Sequence, residues 1–158
     1  MVRVGMADLN ICFAPEAITT LGLGSCVGIV LFDSTIQLGG MAHIMLPDSK
    51  KIIHNENKYK FADTGIKALL DMMMKQGAKQ SRMIAKIAGG AQMFGFQSTS
   101  DLLRVGEKNV EATKLQLKEL SIPIVAEDTG ENYGRTIEFY PDSGKLIIKS
   151  VGKTLKYI

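Results

Sequence analysis

Two side chains in the first third of the chain have the types and settings of a nucleophile and its base: Cys26 in LGLGSCVGIVLFD and His43 in GGMAHIMLP. A thiol attacks carbon as the thiolate, so its ordinary pKa of about 8.5 has to fall beside a cation or backbone N–H groups, with access to solvent. Gly22, Gly24 and Ser25 remove the bulk that would shield Cys26 and suit a tight turn with converging N–H groups. Such a turn, with Gly24 and Ser25 as its candidate residues, holds an oxyanion. The same glycines fit a bend at the entry to a buried strand, with Cys26 as a small hydrophobe. Residue types alone leave both readings open. His43 lies in a similarly glycine-thinned run, a setting that suits either a base or a hydrogen-bonded core histidine.

The other reactive side chains read differently. Cys12, between Ile11 and Phe13, suits a packed strand position, and His54 in KKIIHNENKYK suits an exposed polar loop. Cys12, Cys26, His43 and His54 would supply four metal ligands, but no C-x-x-C or H-x-x-x-H spacing anchors them, so no metal is expected. AGGAQMFG lacks the Lys-Ser/Thr ending of a phosphate-binding loop and reads as a tight turn.

These side chains need a frame. The 158 residues are 46% hydrophobic and 6% aromatic without Trp, which predicts one domain over residues 1–158 with an aliphatic core. The net charge of +3 is spread without a basic cluster and gives no support for nucleic-acid binding. Apolar runs are shorter than the ~20 residues of a membrane span, and MVRVGMADLNI lacks a signal-peptide pattern, so a cytoplasmic protein with free thiols is expected. A monomer or a hetero-complex is expected.

Strands are predicted in RVGMADLNICFA, CVGIVLFD and IQLGGMAHIML. The short DST joint makes the last two antiparallel neighbours, with Cys26 near one end of the first and His43 near the far end of the second. A helix is predicted over FADTGIKALLDMMMKQGA: Asp63 as its cap, Ile66, Leu69, Leu70 and Met73 on one face, and Gly77 past its end. Its three consecutive methionines read as a gap-filling core contact. SRMIAKIAGGAQMF predicts a strand entering a Gly-Gly turn. KNVEATKLQLKEL predicts a second helix with Asn109 near its start and Val110, Thr113, Leu117 and Leu120 on one face. IPIVAED, RTIEFY and KLIIKS predict the final strands, with PDSG closing a hairpin between the last two. The sum is α+β: a layered sandwich of mostly antiparallel strands flanked by helices.

In their order and spacing, LGLGSCVGIVLFD, GGMAHIMLP, KYKFADTGIKALLDMMMKQGA, KIAGGAQMF, VGEKN and GRTIEFYPDSGKL make the chain resemble the CheD-type chemoreceptor glutamine deamidases of bacterial and archaeal chemotaxis. The resemblance implies a cysteine amidohydrolase, a protein-glutamine glutaminase, with Cys26 as nucleophile, His43 as base and Thr20 as third member. Taken without it, Thr20 reads as a β-branched strand residue. It implies an α/β sandwich similar to deamidating bacterial toxins, and no cofactor. The implied substrates are selected glutamines on the cytoplasmic helices of chemoreceptors, converted to glutamate with release of ammonia. The implied partner is a CheC-type phosphatase of the response regulator. The alternative is a non-catalytic module that regulates this phosphatase. Where the family often has a second glycine in EDTGENYGR this chain has Glu131, a departure that bears on the loop's shape and not on the catalytic residues.

Overall fold

The computed structural model describes residues 1–51, 56–93 and 104–158. In chain order its strands are β1 (Val2–Val4), β2 (Asp8–Phe13), β3 (Ile18–Leu23), β4 (Val27–Asp33) and β5 (Leu38–Ile44), then β6 (Ile84–Gly89), β7 (Ile124–Thr129), β8 (Arg135–Tyr140), β9 (Lys145–Lys149) and β10 (Lys156–Tyr157). Helix α1 (Ala62–Lys75) follows β5, and α2 (Val105–Glu119) lies between β6 and β7.

The strands form two five-stranded sheets, ordered β1-β3-β8-β9-β10 and β2-β5-β4-β6-β7. β1 pairs with β3, and β6 with β7, in parallel; the other pairings are antiparallel. Every residue of β4 and β5 is buried, as their nearly unbroken apolar sequence requires of strands covered on both faces. Side chains alternate across a strand. Val27, Ile29 and Leu31 therefore join Ile66, Leu69, Leu70, Met73 and Leu117 of the helices in one core. Val30 and Phe32 turn the other way, toward Ile137, Phe139, Leu146 and Ile148 of the other sheet, in a second core. The layers run sheet, sheet, helices, with both helices on the outer face of one sheet. The predicted sandwich is present, made of two separate sheets with the helices on one side.

α1 buries Ala62, Gly65, Ile66, Leu69, Leu70 and Met73, the expected face. Its N-cap is Phe61, not Asp63. Asp63 sits in the first turn, where its carboxylate accepts hydrogen bonds from Ser49 N–H and Oγ, the latter at 2.7 Å. Of the three methionines only Met73 is fully buried, while Met74 is 43% exposed, because three consecutive helical residues sweep more than half a turn. The loop holding Glu131 shows why a glycine suits that position: Gly130 and Glu131 have φ of +80° and +60°, and the Glu131 carbonyl accepts from Gln92 N–H. His54 lies outside the described residues.

The start of α2 rests on the backbone after β6 with no space for a methyl group. A Cβ on Gly106 would meet the Ala91 carbonyl oxygen and stand 2.7 Å from that of Gly90, and neither can swing aside. Gly106→Ala is expected to cost about 1–3 kcal/mol, read as a lower urea midpoint, whereas Gly5→Ala, with nothing near its Cβ position, leaves the midpoint in place.

Candidate functional site

His43 and Thr20 come from different sheets and meet between them. His43 lies on β5, paired with Gly28 of β4 on one side and Asp8 of β2 on the other, and is fully buried. Thr20 lies on β3, paired with Val4 of β1. Its Oγ1 is 2.7 Å from the Val4 carbonyl oxygen and 2.7 Å from His43 Nδ1. A hydroxyl has one hydrogen and a carbonyl only accepts, so that hydrogen goes to Val4 and Oγ1 accepts from Nδ1–H. The proton of the neutral imidazole is thereby placed on Nδ1. Nε2 keeps its lone pair, is buried, and has no hydrogen-bond partner among the described residues.

Cys26 stands one residue before β4, whose last rung pairs Val27 with Ile44. Two residues on, Gly28 faces His43, so Cys26 and His43 are diagonal cross-strand neighbours on the face that meets the other sheet, where Cys26 joins the inter-sheet core. Diagonal neighbours in an antiparallel ladder stand about 7–8 Å apart, within reach of an imidazole. Gly28 keeps the ground beside them clear. A Cβ there would stand 2.6 Å from Ile137 Cδ1 and 3.1 Å from Leu23 Cδ1.

Backbone groups pin the turn before the thiol. Ala91 N–H donates to the Gly24 carbonyl and Gly90 N–H to the Cys26 carbonyl, each at 2.8 Å. The carbonyl between them, that of Ser25, accepts from Asn109 Nδ2 at 2.9 Å, and the same amide donates to the Met45 carbonyl at 2.9 Å. Three successive peptide units are thus fixed in orientation. Asn109 is the residue that an apolar-stripe reading of α2 passes over. The buried line is Gly106, Asn109, Thr113 and Leu117, polar at its centre, with Val110 only partly buried against the core.

Of the two settings that the glycines allow, the structure shows a buried thiol rather than an open one. Cys26 is 9% exposed, and burial raises its thiol pKa, opposed by a hydrogen bond from its own backbone N–H. The space that Gly24 frees is taken by Met93, whose Cγ lies 3.5 Å from the Cβ position of residue 24. Burial also lowers His43 to about 4. At neutral pH the pair is therefore thiol and neutral imidazole. Cys12, in the same core from β2, has its thiol pushed up to about 11 by burial, and its Sγ donates to the Glu16 carbonyl. Among the described residues no three of His, Cys, Asp and Glu stand together so as to hold a metal ion, and no helix is long and apolar enough to cross a membrane.

Fold and site define an α+β protein of two stacked sheets, with a thiol and an oriented imidazole in the layer between them. The chain belongs to the CheD family: the family model described as CheD chemotactic sensory transduction matches residues 45–150. Relatives extend the likeness over the whole chain, including the stretch before residue 45. A probable chemoreceptor glutamine deamidase CheD of Lachnoclostridium phytofermentans is 63% identical over 100% of this chain and 98% of its own. One from Caldanaerobacter subterraneus subsp. tengcongensis is 58% identical with the same coverage. The chemoreceptor glutamine deamidase CheD of Halalkalibacterium halodurans is 53% identical, again over 100% and 98%.

A histidine buried as the neutral form makes stability depend on pH. The unfolded side chain takes a proton near 6.5, the folded one only near 4, so between these values the unfolded state binds more protons and stability falls as the pH is lowered. From pH 7 to pH 5 this one group is expected to remove about 2 kcal/mol. Urea unfolding at the two pH values checks it: His43→Gln should lose that much less than wild type.

Proposed function

We propose that this chain is a protein-glutamine deamidase that hydrolyses glutamine side chains of chemoreceptors to glutamate, with Cys26 as nucleophile, His43 as base and Thr20 as the residue that orients it. The observation that carries the reading is the Thr20 hydroxyl committed to Val4, which leaves Nε2 of His43 unprotonated in the layer that Cys26 enters. The names of the relatives supply the substrate.

Both groups are neutral at rest, so proton transfer accompanies attack. As the sulfur bonds to the carboxamide carbon, the thiol proton passes to Nε2 and the carbonyl electrons move to oxygen. Backbone N–H groups at Ser25 and Cys26 receive that oxyanion. Its collapse breaks the C–N bond, and the imidazolium gives its proton to the nitrogen, which leaves as ammonia. A thioester remains. Water then attacks it, surrendering a proton to Nε2; the C–S bond breaks and the thiol is restored with glutamate as product. One water enters and one ammonia leaves, and no cofactor takes part.

The rest of the reading follows the family resemblance: a cytoplasmic protein, one domain over residues 1–158, an architecture like that of deamidating bacterial toxins, and a CheC-type phosphatase as partner. The placing of the first and last strands, β1 and β10, in one sheet supports the single domain.

Mixing the protein with a chemoreceptor cytoplasmic fragment and following ammonia release tests the activity. Cys26→Ala and His43→Ala are each expected to lose at least about 10³-fold in kcat. Thr20→Val is expected to lose about 10- to 100-fold, the rate equivalent of one buried hydrogen bond. Wild type releasing no more ammonia than Cys26→Ala refutes the reading.

A further inference from the structure

Asn109 is fully buried on α2, yet its amide does not serve the helix. Both Nδ2 hydrogens go to carbonyls of the sheet beneath, Ser25 and Met45, each at 2.9 Å. Those carbonyls lie just beyond the last rung of the β4–β5 ladder, Val27 with Ile44. Past it the strands part, and Met45 N–H turns to the Lys60 carbonyl. The amide therefore stands where the next ladder bonds would be, and ties the residue before Cys26 to the residue two after His43.

The consequence for the thiol follows from the planarity of the peptide unit. The Ser25 carbonyl and the Cys26 N–H belong to one trans peptide and point in opposite directions. Asn109 holds the carbonyl on its own side, so the N–H points away from the amide, and that N–H is the one that hydrogen-bonds the Cys26 sulfur. The flanking carbonyls of Gly24 and Cys26 are held by the N–H groups of Ala91 and Gly90, so the unit cannot rotate alone. We propose that Asn109 is a positioning residue of the catalytic site: through the Ser25 carbonyl it aims the Cys26 N–H at the reacting sulfur and the oxyanion, and through the Met45 carbonyl it fixes the end of the strand that carries His43. The chemistry demands a primary amide. Two carbonyl acceptors need two donors on one short side chain; an aspartate of the same shape would face them with acceptors, and a leucine of similar volume with nothing.

The inference rests on Cys26 being the nucleophile, and its test separates the two. In the full chain, Asn109→Leu and wild type are alkylated with iodoacetamide across a pH series, with Cys26 and Cys12 quantified as separate peptides. Expected is a loss of about 10-fold in the Cys26 rate near neutral pH and a Cys26 profile moved to higher pH, with Cys12 unchanged. With receptor fragment, kcat is expected to fall about 10²-fold while KM stays within about threefold, since the amide touches no substrate. An anchor that merely held α2 to the sheet would lower the urea midpoint and leave the Cys26 profile and the kcat of folded protein as in wild type; that result overturns the proposal. Should Asn109→Leu not fold, Asn109→Ser is read in the same way. If wild type releases no ammonia, the proposed activity fails, and the alkylation profiles still decide whether Asn109 aims the thiol's N–H.

Discussion

One hydroxyl decides the state of this site. Thr20 Oγ1 sits between an acceptor that cannot donate, the Val4 carbonyl, and a ring nitrogen that can do either. Its single hydrogen goes to the carbonyl, and the imidazole tautomer follows. A carboxylate in that place would fix the same tautomer but would also favour the charged ring. The neutral threonine leaves burial unopposed, and His43 stays an uncharged base far below its ordinary pKa. Among the described residues Nε2 finds no donor, and a buried acceptor so placed costs about 1–3 kcal/mol.

The frame around this bond is made from absences of side chain at chosen points. Gly28 leaves the strand face opposite His43 bare, and Gly106 lets α2 come down onto the Gly90–Ala91 backbone. That approach brings Asn109 to the two strand ends and sets Gly90 and Ala91 to hold the carbonyls on either side of Ser25. Helix, turn and thiol are coupled through backbone groups, which have fewer ways to relax than side chains.

Much of this was legible in the amino-acid order. The β4–β5 pairing, the buried face of α1, the Gly-Gly turn after β6 and the β8–β9 hairpin follow from apolar periodicity and turn chemistry, and the pairing alone predicts the closeness of Cys26 and His43. Cys12 as a packed strand residue follows from its neighbours. β3 is not among the predicted strands, although Thr20 reads as a β-branched strand residue, because its six residues carry Gly22 and an irregular register between Thr20 and Leu23. Without it nothing in the residues places Thr20 against His43, and only the family resemblance did so. The thiol's setting stayed open between two readings for a physical reason: small neighbours open space only if nothing else fills it, and Met93, distant in sequence, lies over Gly24. Asn109 escaped because periodicity was sought among apolar side chains, whereas the buried line of α2 is polar at its centre.

The sheet that supplies Thr20 is assembled from both ends of the chain. β1 and β3 come from the first 23 residues, and β8, β9 and β10 from the last 24. A polypeptide still emerging from the ribosome holds the sulfur, the ring, Thr20 and Val4 early, but the strands that complete the sheet beside Thr20 are made last. Loop closure over such separations comes late in folding. An incomplete chain therefore carries Thr20, Cys26 and His43 before it has the sheet that holds Thr20 in place.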